Sequence, residues 1–314
     1  MTATRAPASA RRAAADAARA READDGDVGV RIRDERPVLR ARLLATWTKG
    51  GMNLTPARKR LFDALAAALD REYYAEQTTT ERREAIKRLC MGEDSGVAWA
   101  KAYLERGFPD RFTPVLAMFG ELERRLADSA ESGRRIRSVH QVACCSGREI
   151  AHFAKRHPDV RFCGSDADPA VVDFLRHHWR DVPNLSFEVL RLERFDDAGF
   201  DVLASDLAYA SGGLHYLDAE ALRGFLERAR DLVGSLLLSQ PLDASFSSDG
   251  PTASTARRLL SWNHAYPAYL AEAGWNAVGW RESSVAEMPE VKNIGAWADA
   301  AAERIPASRT APSR

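Results

Sequence analysis

The apolar positions change rhythm once along the chain. In the first part they recur at helical spacing. "TPARKRLFDALAAALDREYY" opens with Thr55 as N-cap and Pro56 at the first helical position, then sets Phe62, Leu65 and Leu69 on one stripe. "TTTERREAIKRLCMG" offers Thr78 and Glu81 as a capping box and Gly92 as a stop. "TPVLAMFGELERRL" repeats the Thr113–Pro114 start and carries Val115, Met118, Phe119, Leu122 and Leu126 on one face. No strand-like alternation interrupts these segments, so residues 37–132 read as a small all-helical domain.

After the polar link "DSAESGRR" short apolar runs appear near 136–143, 160–164, 185–190, 200–204 and 235–239, separated by helical patterns or turns. Strands alternating with helices predict a mostly parallel sheet covered on both faces, spanning residues 133–302. "REIAHFAKRHP" presents Ile150, Phe153 and Ala154 on one side and stops at Pro158. "DPAVVDFLRHHW" starts with Asp168 as N-cap and Pro169 next, with Val171, Phe174, Leu175 and His178 facing inward. The link between the third and fourth strands, Arg191 to Gly199, has nine residues. In a strand order 3-2-1-4-5 it must cross roughly 14 Å and return along about 17 Å, which roughly 30 Å of extended chain allows. Such a sheet reverses between its first and fourth strands, and its ligand crevice lies at the carboxyl end of the first. That end is "VHQVACCSGREIAHF", Val139 to Phe153, a strand running through a turn into a helix with a single glycine, Gly147.

Charge and composition narrow the partners. Forty-five basic and forty-five acidic residues cancel, leaving no basic face for nucleic acid and no field for an anionic membrane. The longest apolar run, around Leu232–Leu238, is far too short to span a bilayer. Residues 1–36 are rich in Ala and Arg and poor in large apolar side chains, and the tail 303–314 is similar; both are expected to be disordered. With no apolar stretch followed by a cleavage site, the start does not read as a secretory signal, and a cytoplasmic location is expected. Cys90, Cys144, Cys145 and Cys163 show no metal-ligand spacing, so no metal is expected and the thiols are read as reduced.

From Arg135 to Glu282 the chain resembles the class I S-adenosylmethionine-dependent methyltransferases. In that family the first strand ends in an acidic residue, a hydrophobe and then G-x-G-x-G. "QVACCSG" supplies Gln141 for the acid, Ala143 and Cys145 for the first two glycines, and Gly147 for the third. The second strand ends, as the family's does, in an acidic residue, Asp166 in "VRFCGSDADP". "FDVLASDLAYASGGLHYLD" is similar to the fourth strand and its following loop, which faces the methyl group and substrate. "EALRGFLERARDLVGSLLLSQPL" and "NHAYPAYLAEAGWNAVGWRES" are similar to the last crossover helices and the fifth and sixth strands, with a turn at Gly274. The resemblance implies an α/β fold: a doubly wound, mostly parallel Rossmann-like sheet of methyltransferase type, here with an N-terminal all-helical domain. It also implies S-adenosyl-L-methionine as cofactor.

Position by position, the resemblance implies cofactor contacts from Gln141, Ala143, Cys144, Gly147, Asp166, Ala167, Glu193 and Ser205. His215, Asp206 and Tyr209 are the catalytic candidates, His215 because its ordinary pKa suits a general base. Tyr73, Tyr74 and His264 are candidates for substrate contact, and the loop Pro241–Ala256 is long enough to be a flap. Cys144 and Cys145 read as packing residues rather than nucleophiles. The implied reaction is methyl transfer to an oxygen or nitrogen of a small metabolite, with the helical domain covering the pocket or forming a homodimer interface. One alternative is a methyltransferase-fold protein that binds or regulates, or uses the cofactor for another transfer. A nicotinamide oxidoreductase is the other, and it lacks its G-x-G-x-x-G here.

Overall fold

The computed structural model describes residues 95–105, 113–132, 135–257, 261–284 and 291–300. The chain divides into two compact units, 1–93 and 94–314, and every described residue belongs to the second. The helices expected near 55–92, with Tyr73 and Tyr74, lie outside the described residues.

The second unit begins with α1 (Ser95–Glu105) and α2 (Thr113–Ser132). These two helices fall in the same unit as the sheet. Then follow β1 (Ser138–Val142), α3 (Arg148–Arg156), β2 (Arg161–Asp166), α4 (Pro169–His178), β3 (Leu185–Val189), β4 (Ser205–Ser211), α5 (Ala219–Leu232) and β5 (Val233–Asp243). A hairpin of β6 (Ser254–Arg257) and β7 (Ser261–His264), α6 (Tyr266–Glu272), β8 (Asn276–Ser284) and β9 (Val291–Asp299) complete the unit. The sheet runs β3-β2-β1-β4-β5-β9-β8; its first five strands are parallel and β9 is antiparallel to both neighbours.

Alternation along the strands sends side chains to two separate cores. Val139, Phe162, Phe187, Leu207, Tyr209 and Leu237 pack under α2, α3 and α4. Val142, Ala208, Ala210, Leu236, Leu238 and Ile294 pack under α5 and α6. Helix α4 starts as the sequence predicts, with the Asp168 carboxylate accepting from the Ala170 amide at 2.9 Å. His178 departs from expectation: it lies exposed on the outer face of that helix.

The run 200–204 is not the start of the fourth strand. Ala198–Leu203 forms a 3-10 helix whose Phe200 and Leu203 are buried, so the apolar signal marks a packed turn. The strand begins at Ser205, where the Asp206 carboxylate accepts from the Arg137 and Ser138 amides at 2.7 and 2.9 Å. The loop after β5 is not a free flap. Strand β5 runs on to Asp243, the Phe246 amide turns back onto the Asp243 carbonyl, and residues 254–264 close a hairpin. No helix among the described residues is long and apolar enough to cross a membrane.

Candidate functional site

At the carboxyl edge, where the strand order reverses between β1 and β4, the chain leaves β1 through Ala143–Gly147. Ala143, Cys145 and Gly147 all take left-handed backbone, with φ of 53°, 50° and 63°. These are the three positions at which the resemblance puts glycines. Two L-residues held there cost on the order of 1 kcal/mol each, which the fold must offset. The loop thus takes the conformation glycine favours at all three positions, with glycine at only one of them.

Local space explains which were lost. A Cβ on Gly147 would lie 2.8 Å from the Phe187 ring and 3.1 Å from the Trp179 indole nitrogen, so nothing larger fits. Ala143 has room because its neighbour across the crevice is Gly213: a Cβ there would stand 2.4 Å from the Ala143 Cβ. The loop is closed by the Gly147 amide on the Cys144 carbonyl at 2.9 Å, and the Trp179 indole donates to the Ser146 carbonyl at 3.1 Å.

The side chains divide accordingly. Cys144 faces the core under α3 and α4, and burial raises its thiol well above the ordinary value. Its part in the crevice is confined to backbone, the amide donating to the Ser165 carbonyl at 2.8 Å. Burial, with the Asp166 and Glu149 charges behind it, pushes the Cys145 thiol up to about 12. Neither is a thiolate nucleophile near neutral pH. Replacing Cys145 by glycine is expected to leave the Tm unchanged or higher, whereas Cys144→Gly, which empties a packed position, lowers it by several degrees; thermal melts compare the two. Equal losses would contradict the assignment of strain to position 145.

Asp166 ends β2 beside this loop. Its carboxylate accepts from the Cys145 amide at 3.0 Å and the Asp168 amide at 3.2 Å. Burial raises its pKa, against those amide bonds, which lower it. Ala167 follows, exposed, at the same edge, and Glu193 is exposed in the turn beyond β3. Gln141 is buried and serves the helix: its Oε1 accepts from the Ile150 amide at 3.2 Å, and its Nε2 donates to Glu149 at 2.7 Å.

The loop after β4 supplies the other wall. Gln240 of β5 donates to the Ala210 and Gly212 carbonyls, both at 3.1 Å, and so fixes where the loop departs. Its Oε1 also lies 3.5 Å from His215 Nδ1, a weak contact at the limit of hydrogen-bond distance. His215, named from the sequence, has its ring 4.1 Å from that of the neighbouring Tyr216 on this loop.

Four expected residues do not reach it. Asp206 and Ser205 open β4 at the amino edge, a strand's length away, where Asp206 ties β4 to β1 and the Ser205 hydroxyl donates to the Leu203 carbonyl at 2.9 Å. Tyr209 is fully buried in mid-strand, edge-on to Phe119 and Phe153. His264 is likewise buried: its Nε2 donates to the Leu217 carbonyl at 3.0 Å, so Nδ1 accepts from the Ser254 hydroxyl at 2.7 Å. Tyr269 must then donate to Ser254, at 2.6 Å. This chain pins the β6–β7 hairpin to the end of the His215 loop. His264 positions that loop rather than touching substrate. Among the described residues no cluster of His, Cys, Asp and Glu could hold a metal ion.

The residues fit a sulfonium nucleoside cofactor: a left-handed loop at the switch point, an anchored carboxylate on the next strand, and a strand order ending in an antiparallel pair. Together they define a class I methyltransferase domain. Residues 141–235 match the family model described as "Methyltransferase domain". That segment, with the sheet around it, is consistent with a class I S-adenosylmethionine-dependent methyltransferase, whose cofactor is S-adenosyl-L-methionine. No curated protein matches it. Among solved structures it is similar to an O-methyltransferase family protein from Burkholderia thailandensis, at 18% identity over 85% of this chain and 72% of that one, TM-score 0.47. The CurJ carbon methyltransferase shares 15% identity over 80% of this chain and 72% of its own, TM-score 0.49. An amino pentose methyltransferase, CalS10 from Micromonospora echinaspora with S-adenosylmethionine bound, shares 14% over 63% and 96%, TM-score 0.41. At these values the likenesses assign neither substrate nor residue roles.

Four residues of the site went unread in the sequence: Glu149, Gly213, Trp179 and Gln240. Only Gly213, in "SGGLHY", carried a local signal, as half of a glycine pair at a strand end.

Proposed function

We propose that the protein methylates an oxygen or nitrogen of a small-molecule metabolite. The observation that carries this is the backbone of the β1 loop, left-handed at all three motif positions although two of them are not glycine. A fold that had abandoned the cofactor gains nothing by holding Ala143 and Cys145 in that conformation. Asp166 and the backbone of Ala143–Gly147 hold the nucleoside, with Ala167 and Glu193 beside it. The bound cofactor supplies an electrophilic methyl group. His215 removes the acceptor's proton, and the hairpin braced by His264 holds the His215 loop in place. A formal net charge of zero favours a small acceptor over nucleic acid.

The test is turnover with methyl-labelled S-adenosylmethionine against a panel of small hydroxyl and amine compounds. Labelled product is expected from wild type, and His215→Ala is expected to lower kcat by about 10²–10⁴-fold with the KM for cofactor unchanged. Cofactor binding with no acceptor methylated would instead favour a binding or regulatory role.

A further inference from the structure

The family's acidic residue at the end of the first strand is missing, since Gln141 stands there. A carboxylate nevertheless reaches that place from another element. Glu149, second residue of α3, folds its side chain back over the carboxyl ends of β1 and β4, where it accepts from Gln141 Nε2 at 2.7 Å and from the Ser211 hydroxyl. Gln141 pairs in register with Tyr209, and Ser211 is the last residue of β4, so the carboxyl group bridges the two strands between which the sheet reverses.

Resting on the reading that this crevice takes S-adenosylmethionine, we propose that Glu149 is a positioning residue for the cofactor, supplying from α3 the negative charge for its α-ammonium that β1 no longer provides.

The other carboxylate at this edge, the half-buried Asp166, already accepts two loop amides on the far side of β1. Glu149 is closely surrounded: Arg148 on its own helix, Gln141 on β1, Cys145 in the loop, and Tyr209 and Ser211 on β4. Arg148 is turned toward α1, its guanidinium donating to the Tyr103 carbonyl at 2.8 Å and lying 5.0 Å from that ring. The neutral neighbours leave burial dominant, and it raises the Glu149 pKa to about 7, against the smaller lowering by Arg148 and the two hydrogen bonds. A carboxyl raised above its unfolded value of 4.5 contributes stability below that value and loses it as pH rises through about 7. The charged form therefore weakens the cofactor-free fold at pH 8, and an ammonium ligand relieves that strain. Binding is expected to tighten as pH rises through about 7 and then to level off.

The hydrogen bond between positions 141 and 149 permits a charge-swap test. Glu149→Gln removes the charge. Adding Gln141→Glu returns it to β1 with donor and acceptor exchanged, and the carboxylate introduced at position 141 still accepts from the Ile150 amide. Calorimetry at pH 8 compares S-adenosylhomocysteine, which carries the ammonium, with 5′-methylthioadenosine, which lacks it. Glu149→Gln is expected to weaken S-adenosylhomocysteine about tenfold or more, leave 5′-methylthioadenosine within twofold, and raise the ligand-free Tm at pH 8 but not at pH 5. The double variant is expected to recover S-adenosylhomocysteine affinity to within about threefold. Unchanged S-adenosylhomocysteine affinity in Glu149→Gln overturns the proposal. So does equal weakening of both ligands with a lowered Tm, which marks a structural role, and so does a double variant no better than the single. A wild type that binds neither ligand overturns the cofactor reading first, and this inference with it.

Discussion

Gly213→Ala is expected to cost about 30-fold or more in affinity for S-adenosylhomocysteine and to lower the Tm of the ligand-free protein by several degrees. Two independent effects produce this. Gly213 has a φ of 89°, which an L-residue adopts only under strain. Its new Cβ would also stand 2.4 Å from the Ala143 Cβ, far inside contact distance, and both atoms belong to short loops tethered by backbone hydrogen bonds. Overpacking of this kind costs about 1–3 kcal/mol, and the strain about 1 kcal/mol more. The strand ends cannot move, so the β1 loop must, and with it the backbone that holds the cofactor. The combination Ala143→Gly with Gly213→Ala removes the clash but not the strain at 213, so partial recovery of both Tm and affinity is expected. A Gly213→Ala protein with wild-type binding, or a double variant no better than the single, would contradict the contact between the two loops.

Asp166→Asn is expected to be comparably severe, for an electrostatic reason. The two carboxylate oxygens accept from two different backbone amides, Cys145 and Asp168. An asparagine has one acceptor oxygen, so one amide must face an NH2 group, donor against donor. Leaving a buried donor unsatisfied costs about 1–3 kcal/mol, and the ligand hydroxyls lose a charged acceptor worth about 1.5–3 kcal/mol more. Affinity for S-adenosylhomocysteine should fall by about 10-fold to 150-fold by calorimetry, with a lower Tm. Asp206→Asn provides the contrast. That residue braces the opposite edge of the sheet through the Arg137 and Ser138 amides, so its variant should lower the Tm while leaving affinity nearly unchanged.

The sheet was legible because apolar runs, capping residues and proline starts recur in a fixed order, and that order survives weak individual motifs. Asp166 and Gly147 were legible for the same reason: each stands at a strand end beside an unmistakable helix start. Strand β9 was not, because "VKNIGAWAD" opens on polar residues and its non-polar stretch Ile294–Ala298 is built mostly of Gly and Ala, a weak strand signal, although Ile294, Ala296 and Ala298 are buried. The register of β4 was misread because Phe200 and Leu203 bury themselves from a turn, which apolar content alone cannot tell from a strand. That error carried Asp206 and Ser205 toward the crevice when the structure sets them at the other edge. Tyr209 and His264 were misplaced for a simpler reason. An aromatic or histidine next to a motif gives no indication of which face of the sheet it takes, and these two face the cores. Glu149 meets Gln141 and Ser211 across the β1 loop, a contact through space that no spacing in the sequence announces, while the glycine pair at 212–213 signals a turn but not its approach to Ala143.

Ala143–Gly147, with glycine at only one of its three left-handed positions, is expected to form a working cofactor loop. Calorimetric titration of the purified wild-type protein with S-adenosylhomocysteine tests it most directly. Saturable binding at one site per chain, with a Kd below about 100 μM, or roughly −5.5 kcal/mol, is the expected result. No heat of binding and no rise in Tm at millimolar ligand would contradict it.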